Sequence, residues 1–215
     1  MDKFLKALRD DHHNFSKGEL ERIAENVNPF DFFGVWFKEA IESAAPEPNA
    51  MNIATVSEDG QPSSRLVYLK EFYDEGLVFY TNYNSQKGRE IAINPKVAAH
   101  FFWHPLERQV RIEGIARKAP VSLSDKYFES RPKGSQLGAW ASEQSDELSD
   151  RKDLILKAEL MEKEFGGTIP RPEHWGGYVI EPIHYEFWQG RPNRLHDRIC
   201  FRKEGTSWQV YRKNP

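Results

Sequence analysis

Between Met51 and Thr81 the chain reads MNIATVSEDGQPSSRLVYLKEFYDEGLVFYT. Three runs rich in β-branched, aromatic and aliphatic residues (51–57, 63–70 and 77–81) are broken by Glu58-Asp59-Gly60 and Asp74-Glu75-Gly76. Short runs separated by acidic, glycine-bearing turns predict β-hairpins, because glycine supplies the positive φ that a tight reversal demands. Further along, 97–103 and 107–118 flank His104-Pro105 and predict another hairpin. Five closely spaced strands joined by tight turns favour an antiparallel barrel over a doubly wound parallel sheet. No Gly-x-Gly-x-x-Gly follows any of them, which argues against a Rossmann dinucleotide site.

Helices bracket and interrupt this β region. Asn28-Pro29 has the form of an N-cap and first helical residue, with Asp31 favourable in the first turn. Phe33, Trp36, Phe37, Ala40, Ile41 and Ala44 follow at helical spacing as a core stripe, and Pro46 and Pro48 are expected to end the helix. Ser122 with Asp125 predicts a capped helix through Ser130, ended by Arg131-Pro132. Leu154, Ala158, Met161 and Phe165 predict a second amphipathic helix, stopped by Gly166-Gly167. Strands are expected at 177–181, 185–189, 196–202 and 208–212, with the last turn at 203–206. Residues 1–18 read as a short helix and an arm, with His12 and His13 as solvated side chains. The expected fold is mainly β with flanking helices, a single domain over 1–215.

The 215 residues suffice for one sizeable core. A net charge of −3 provides no global field to recruit nucleic acid or an anionic membrane, so any anion site must be a local cluster of Arg and Lys. The single cysteine, Cys200, excludes an intrachain disulfide framework and a multi-cysteine metal site, and no metal is expected. There is no signal-peptide pattern and no apolar run of spanning length, which makes a cytoplasmic enzyme the expectation.

The stretch 186–198 carries the chemistry. Glu186-Phe187-Trp188-Gln189-Gly190 is followed by Arg194-Leu195-His196-Asp197-Arg198. Arg194, His196 and Arg198 share parity, so an extended backbone would send them to one face, too cationic for a core. Such a row suits a planar anion: guanidinium groups fork onto phosphate oxygens, imidazole exchanges protons near neutrality, and indole packs on a flat ring.

This segment resembles the C-terminal signature of the pyridoxine 5'-phosphate oxidase family, the FMN enzymes that make pyridoxal 5'-phosphate. Arg65-Leu66-Val67-Tyr68-Leu69-Lys70, Phe79-Tyr80-Thr81-Asn82, the run from Trp103 to Val110 and Tyr127-Phe128-Glu129-Ser130-Arg131-Pro132 resemble family blocks in family order. Ser135-Gln136-Leu137-Gly138-Ala139-Trp140, Gln144-Ser145 and the run from Phe165 to Gly177 continue the series, so the likeness extends from residue 15 to the C-terminus.

The resemblance implies an antiparallel, Greek-key-like, FMN-binding split barrel. It implies a homodimer with FMN at the subunit interface. Arg65, Leu66, Val67, Tyr68, Leu69, Lys70, Tyr80, Thr81, Gln86, Lys87, Gln109, Gln144, Ser145, Trp188 and Arg198 would line the FMN site, with Arg65 and Lys87 clamping its phosphate. Lys70, Tyr127, Arg131 and Ser135 would hold the substrate phosphate. Strand parity would send Arg65 and Lys70 to opposite faces, one toward each ligand. Arg194 and His196 would be the catalytic pair beside the substrate's pyridine ring. The implied reaction is hydride transfer from the C4' carbon of pyridoxine or pyridoxamine 5'-phosphate to the flavin, reoxidation by O2 with release of H2O2, and ammonia from the amine substrate.

Three stretches depart from the family pattern. Gln86 stands where members commonly carry Arg, which removes a charge beside Lys87. The arm residues that carry Arg and Tyr over the substrate in relatives are here His12-His13-Asn14-Phe15. The ending is Arg212-Lys213-Asn214-Pro215. The alternatives are a split-barrel flavin oxidase acting on another substrate, as in phenazine biosynthesis, and a non-catalytic flavin- or haem-binding protein.

Overall fold

The computed structural model describes residue 6 and residues 14–20 and 27–215. Most of the expected arm, including His12 and His13, lies outside the described residues. The elements run α1 (Pro29–Glu42), β1 (Ala50–Val56), β2 (Pro62–Tyr68), β3 (Glu71–Tyr73), β4 (Gly76–Asn82), α2 (Gln86–Ile93), β5 (Lys96–Trp103) and β6 (Arg108–Lys118). They continue with α3 (Val121–Ser130), α4 (Lys133–Ala141), α5 (Arg151–Phe165), β7 (Trp175–Gln189), β8 (Asp197–Glu204) and β9 (Ser207–Arg212). Strand pairing follows the order β2-β1-β5-β6-β7-β4-β3, with β8 between β7 and β9. The β1–β2, β3–β4, β4–β7, β7–β8 and β8–β9 pairs are antiparallel, as the hairpin reading requires.

The chain forms two compact units, one of Met1–Pro48, His100–Ile112 and His184–Pro215, the other of Asn49–Ala99 and Glu113–Ile183. In the first, Asn28 caps α1 by accepting from Phe30 N, as its side chain suggested. Phe33 and Trp36 are buried, with Phe33 5.2 Å from Phe101 and Trp36 edge-on to Phe187 at 5.3 Å. The helix stops at Glu42, ahead of Pro46, because Ser43 already satisfies its end: Ser43 N donates to Glu39 O and its hydroxyl to Ala40 O.

In the second unit, Phe128, Leu137, Ala139, Ile169 and Trp175 form a buried cluster under α3, α4 and the half-buried Met161 and Phe165 of α5. Gly166 ends α5 in the left-handed region (φ 60°), the cap expected of its glycine pair. Gly88 in α2 faces the backbone: a Cβ there would lie 2.0 Å from Tyr83 O and 2.5 Å from Tyr83 C. Gly88→Ala is therefore expected to cost about 2 kcal/mol, since a backbone segment must shift to admit a methyl group. Urea titration would show it, and an unchanged midpoint would refute the close approach.

Several elements differ from the reading of the sequence. The strands expected at 177–181 and 185–189 are one strand, β7, whose Pro182 falls between the stretch paired with β4 and the stretch paired with β8. α3 starts at Val121 after Pro120 with no side-chain cap; instead of a capping box, Ser124 accepts from Gly177 N and Asp125 pairs with Arg171 at 2.6 Å. α4 is absent from the sequence reading, and it places Ser135 in the first turn of a helix.

Candidate active site

The second unit contains a cavity of about 550 Å³, walled by residues from β2, β4, α2, α3 and α4. Four cations line it, Arg65, Lys70, Lys87 and Arg131, and no carboxylate does. Leu66, Val67, Tyr68, Tyr80, Thr81, Tyr127, Ser135 and Gln144, all singled out from the sequence, line it too. So do Pro132 and Trp175, which the sequence reading does not place among the site residues. Tyr80, Tyr127 and Trp175 stand nearly parallel, with Tyr80 3.9 Å from Tyr127 and 5.6 Å from Trp175, which gives the cavity an aromatic wall.

Lys87 enters from the first turn of α2, where Ser85 caps the helix by accepting from Gly88 N at 3.3 Å. Its ammonium is buried and donates to Thr81 Oγ1 (3.2 Å), Ser85 Oγ (3.1 Å) and Gln144 Oε1 (3.0 Å), all neutral acceptors. Burial first, and the nearby charge of Arg65 second, pull its pKa down to about 8, against a smaller opposing effect of Glu90. Arg131 lies 4.5 Å above Trp175, and its Nη1 is buried without a hydrogen-bond partner. A charged fork held unpaired against an aromatic face is costly unless an anion completes it. A buried ammonium with no carboxylate partner and an orphaned guanidinium nitrogen fit a ligand with phosphate oxygens.

Arg65 and Lys70 reach the same cavity despite their opposite parity. The strand ends at Tyr68, and the backbone then turns: Leu69 N donates to Asn49 O and Lys70 N to Val78 O, so alternation no longer fixes direction. Leu69 is buried and does not line the cavity, nor do Gln86, which donates to Glu90 Oε1 at 2.9 Å, and the exposed Ser145.

The remaining residues of interest belong to the first unit. Arg194 closes a short 3₁₀ turn, Pro192–Arg194, where Asn193 and Arg194 have φ of 57° and 61°, and β8 begins only at Asp197. The extended row of Arg194, His196 and Arg198 therefore does not form. His196 lies 4.6 Å from Trp188 and 5.3 Å from Phe15, and its Nδ1 accepts from Arg191 N at 3.1 Å. Burial, then the charge of Arg194, lowers its pKa. Arg198 forks onto Glu186 Oε1 through Nε (3.0 Å) and Nη2 (2.7 Å), while Gln109 meets His100 Nε2 at 2.9 Å.

The mainly antiparallel sheet with its flanking helices is that of the split-barrel proteins. A solved structure of that fold, an FMN-binding, pyridoxamine 5'-phosphate oxidase-related protein from Nostoc punctiforme, superposes with a TM-score of 0.68 at 14% identity, covering 88% of this chain and 100% of that one. The chain belongs to the pyridoxamine 5'-phosphate oxidase family. Residues 37–163 match the family model described as pyridoxamine 5'-phosphate oxidase, and residues 175–215 match the pyridoxine 5'-phosphate oxidase C-terminal dimerisation region. A pyridoxine/pyridoxamine 5'-phosphate oxidase of Thermosynechococcus vestitus is 53% identical over 211 residues, 98% of this chain and 100% of the relative. One of Burkholderia mallei is 48% identical over 214 residues, again 98% and 100%. PhzG from Burkholderia lata, solved in complex with tetrahydrophenazine-1-carboxylic acid, has a TM-score of 0.82 at 32% identity and covers 87% of this chain and 92% of that one.

Proposed function

We propose that the protein is an FMN-dependent oxidase that converts pyridoxine or pyridoxamine 5'-phosphate to pyridoxal 5'-phosphate, in the cytoplasm, as a homodimer working as one split-barrel domain per chain. The observation that carries this is the cavity with four lining cations and no lining carboxylate, together with relatives of that name about half identical along the whole chain. The cations fall into two pairs. Arg65 and Lys87 suit the FMN phosphate, with Thr81 and Gln144 holding the Lys87 ammonium in place. Lys70 and Arg131, with the hydroxyls of Tyr127 and Ser135, suit the phosphate of the vitamin.

FMN, held by its phosphate at Arg65 and Lys87, would supply the redox chemistry as acceptor of the substrate C4' hydride, with dioxygen as the final oxidant and hydrogen peroxide as its product. The protein's part is to bind, orient and exclude. With the FMN phosphate held by Arg65 and Lys87 and that of the substrate by Lys70 and Arg131, each ligand would be bound in the same cavity, which would turn the transfer into an intramolecular event. Arg194 covers the pyridine ring and meets its phenolic oxygen, and His196 holds or moves the proton there. The lowered pKa of His196 keeps the imidazole neutral at physiological pH, the form able to accept a proton. Trp188 and Arg198 complete the FMN site, and the match of residues 175–215 to the family's dimerisation region supports their working in a homodimer. No helix among the described residues is long and apolar enough to cross a membrane.

The test is to load the protein with FMN and add pyridoxamine 5'-phosphate, following flavin bleaching without oxygen and then peroxide and aldehyde in air. Bleaching with aldehyde formation supports the oxidase. A bound flavin inert to both vitamin phosphates but bleached by a reduced phenazine carboxylate would move the assignment to the chemistry of the Burkholderia lata relative.

A further inference from the structure

Behind Arg65 lies a carboxylate that does not line the cavity. Glu90, on α2, is only 6% exposed. It accepts from Thr55 Oγ1, from Ser63 Oγ at 3.1 and 2.9 Å, and from Gln86 Nε2 at 2.9 Å. Arg65 in turn donates through Nη1 to Thr55 Oγ1 and through Nη2 to Ser63 Oγ at 2.6 Å, with Nη2 also 3.4 Å from Glu90 Oε2. A guanidinium only donates and an ionised carboxylate only accepts, which fixes the polarity of both bridges. Each hydroxyl accepts from Arg65 and gives its one proton to Glu90. Burial alone would raise the Glu90 pKa, but the hydrogen bonds from Thr55, Gln86 and Ser63 and the charge of Arg65 outweigh it and hold the carboxyl ionised.

We propose that Glu90 is a positioning residue for the anion clamp: through the hydroxyls of Thr55 and Ser63 it locks the Arg65 guanidinium at the cavity wall, and thereby sets the preference for phosphorylated over dephosphorylated flavin. The proposal rests on the reading of the cavity as an FMN site. It also gives Gln86 a role. Gln86 and Glu90 are four apart on α2 and share a face, so the neutral amide satisfies one carboxylate oxygen without bringing a second cation to compete with Arg65 for the charge. Gln86 and Glu90 thus form one hydrogen-bonded unit on α2.

FMN and riboflavin are titrated into the full-length apo-protein by flavin fluorescence, from neutral to alkaline pH. Glu90→Gln is expected to weaken FMN about tenfold, the worth of one charge-assisted hydrogen bond, and to leave riboflavin within about twofold. Because Glu90 also raises the Lys87 pKa, the alkaline loss of FMN binding should move to lower pH in this variant. A structural role alone would weaken both flavins alike, and an FMN-to-riboflavin ratio left unchanged in this way overturns the proposal. If Glu90→Gln does not fold, Ser63→Ala decides: its half-buried strand position tolerates the change, and losing one bridge should cost FMN about threefold with riboflavin unmoved. Wild-type protein that fails to bind FMN would overturn the cavity reading and this proposal with it, whereas selective FMN binding unaffected by the variants removes only the role of Glu90.

Discussion

Arg131→Ala is expected to raise the KM for pyridoxamine 5'-phosphate by roughly a hundredfold or more, while FMN affinity changes by less than about threefold. The side chain is half-buried over Trp175, burial lowers its pKa, and Nη1 has no partner inside the protein, so its hydrogen-bonding capacity is available to a ligand. Two charge-assisted hydrogen bonds to one phosphate, each worth about 1.5–3 kcal/mol, account for the factor. Arg131→Lys should recover only part of it, because an ammonium restores the charge without the planar fork. Steady-state kinetics with pyridoxamine 5'-phosphate beside FMN fluorescence titration would separate the two effects. Equal losses of substrate and flavin affinity would mean that Arg131 serves the wall of the unit and not the vitamin phosphate.

The contrast between Arg131 and Arg65 shows what a sequence can disclose. Both stand in recognisable blocks, and both line the cavity. Their partners differ in a way no block reveals: one guanidinium is left open, the other is locked from behind by a carboxylate on a different element. Glu90 was invisible because a Glu in a short polar helix reads as a solvated face, and only the packing of α2 near β1 and β2 buries it. The legible elements were those whose ends are written locally, such as Asn28 before Pro29 or Gly166 after α5. α4 was missed because Pro132 precedes it and Gly134 and Gly138 lie within it, so its propensity is poor and packing of Leu137 and Ala139 makes the helix. The parity argument for Arg194, His196 and Arg198 failed for a related reason: positive φ at Asn193 and Arg194 breaks the strand, and a non-glycine residue gives little local sign of it. The blocks therefore picked out most of the side chains that line the cavity, and backbone reversals decided which of them do so together.

Lys87→Met should produce opposite changes in function and stability. FMN binding is expected to weaken roughly a hundredfold at neutral pH, because a buried ammonium facing a phosphate dianion is lost. The apo-protein should at the same time become more stable. Lys87 titrates near pH 8 in the folded chain against an ordinary value of 10.5, since burial disfavours its charge. Between those two values the unfolded chain binds more protons than the folded one, so wild-type stability rises with pH across that window; below pH 8 the folded chain carries the whole penalty, on the order of 3 kcal/mol. Methionine removes the penalty at neutral pH and with it the rise. FMN affinity runs the other way in the wild type: it is greatest below pH 8, where the ammonium is charged, and falls by up to about tenfold per pH unit above it, whereas Lys87→Met should show only the dependence common to the rest of the site. Urea unfolding of both apo-proteins across this pH range, paired with FMN titrations, measures both trends. An apo Lys87→Met protein less stable than wild type at neutral pH, with the same pH slope, would show that Lys87 is held for the fold. The expected gain would show that its burial is a cost the fold carries so that a charge is waiting where the cofactor phosphate arrives.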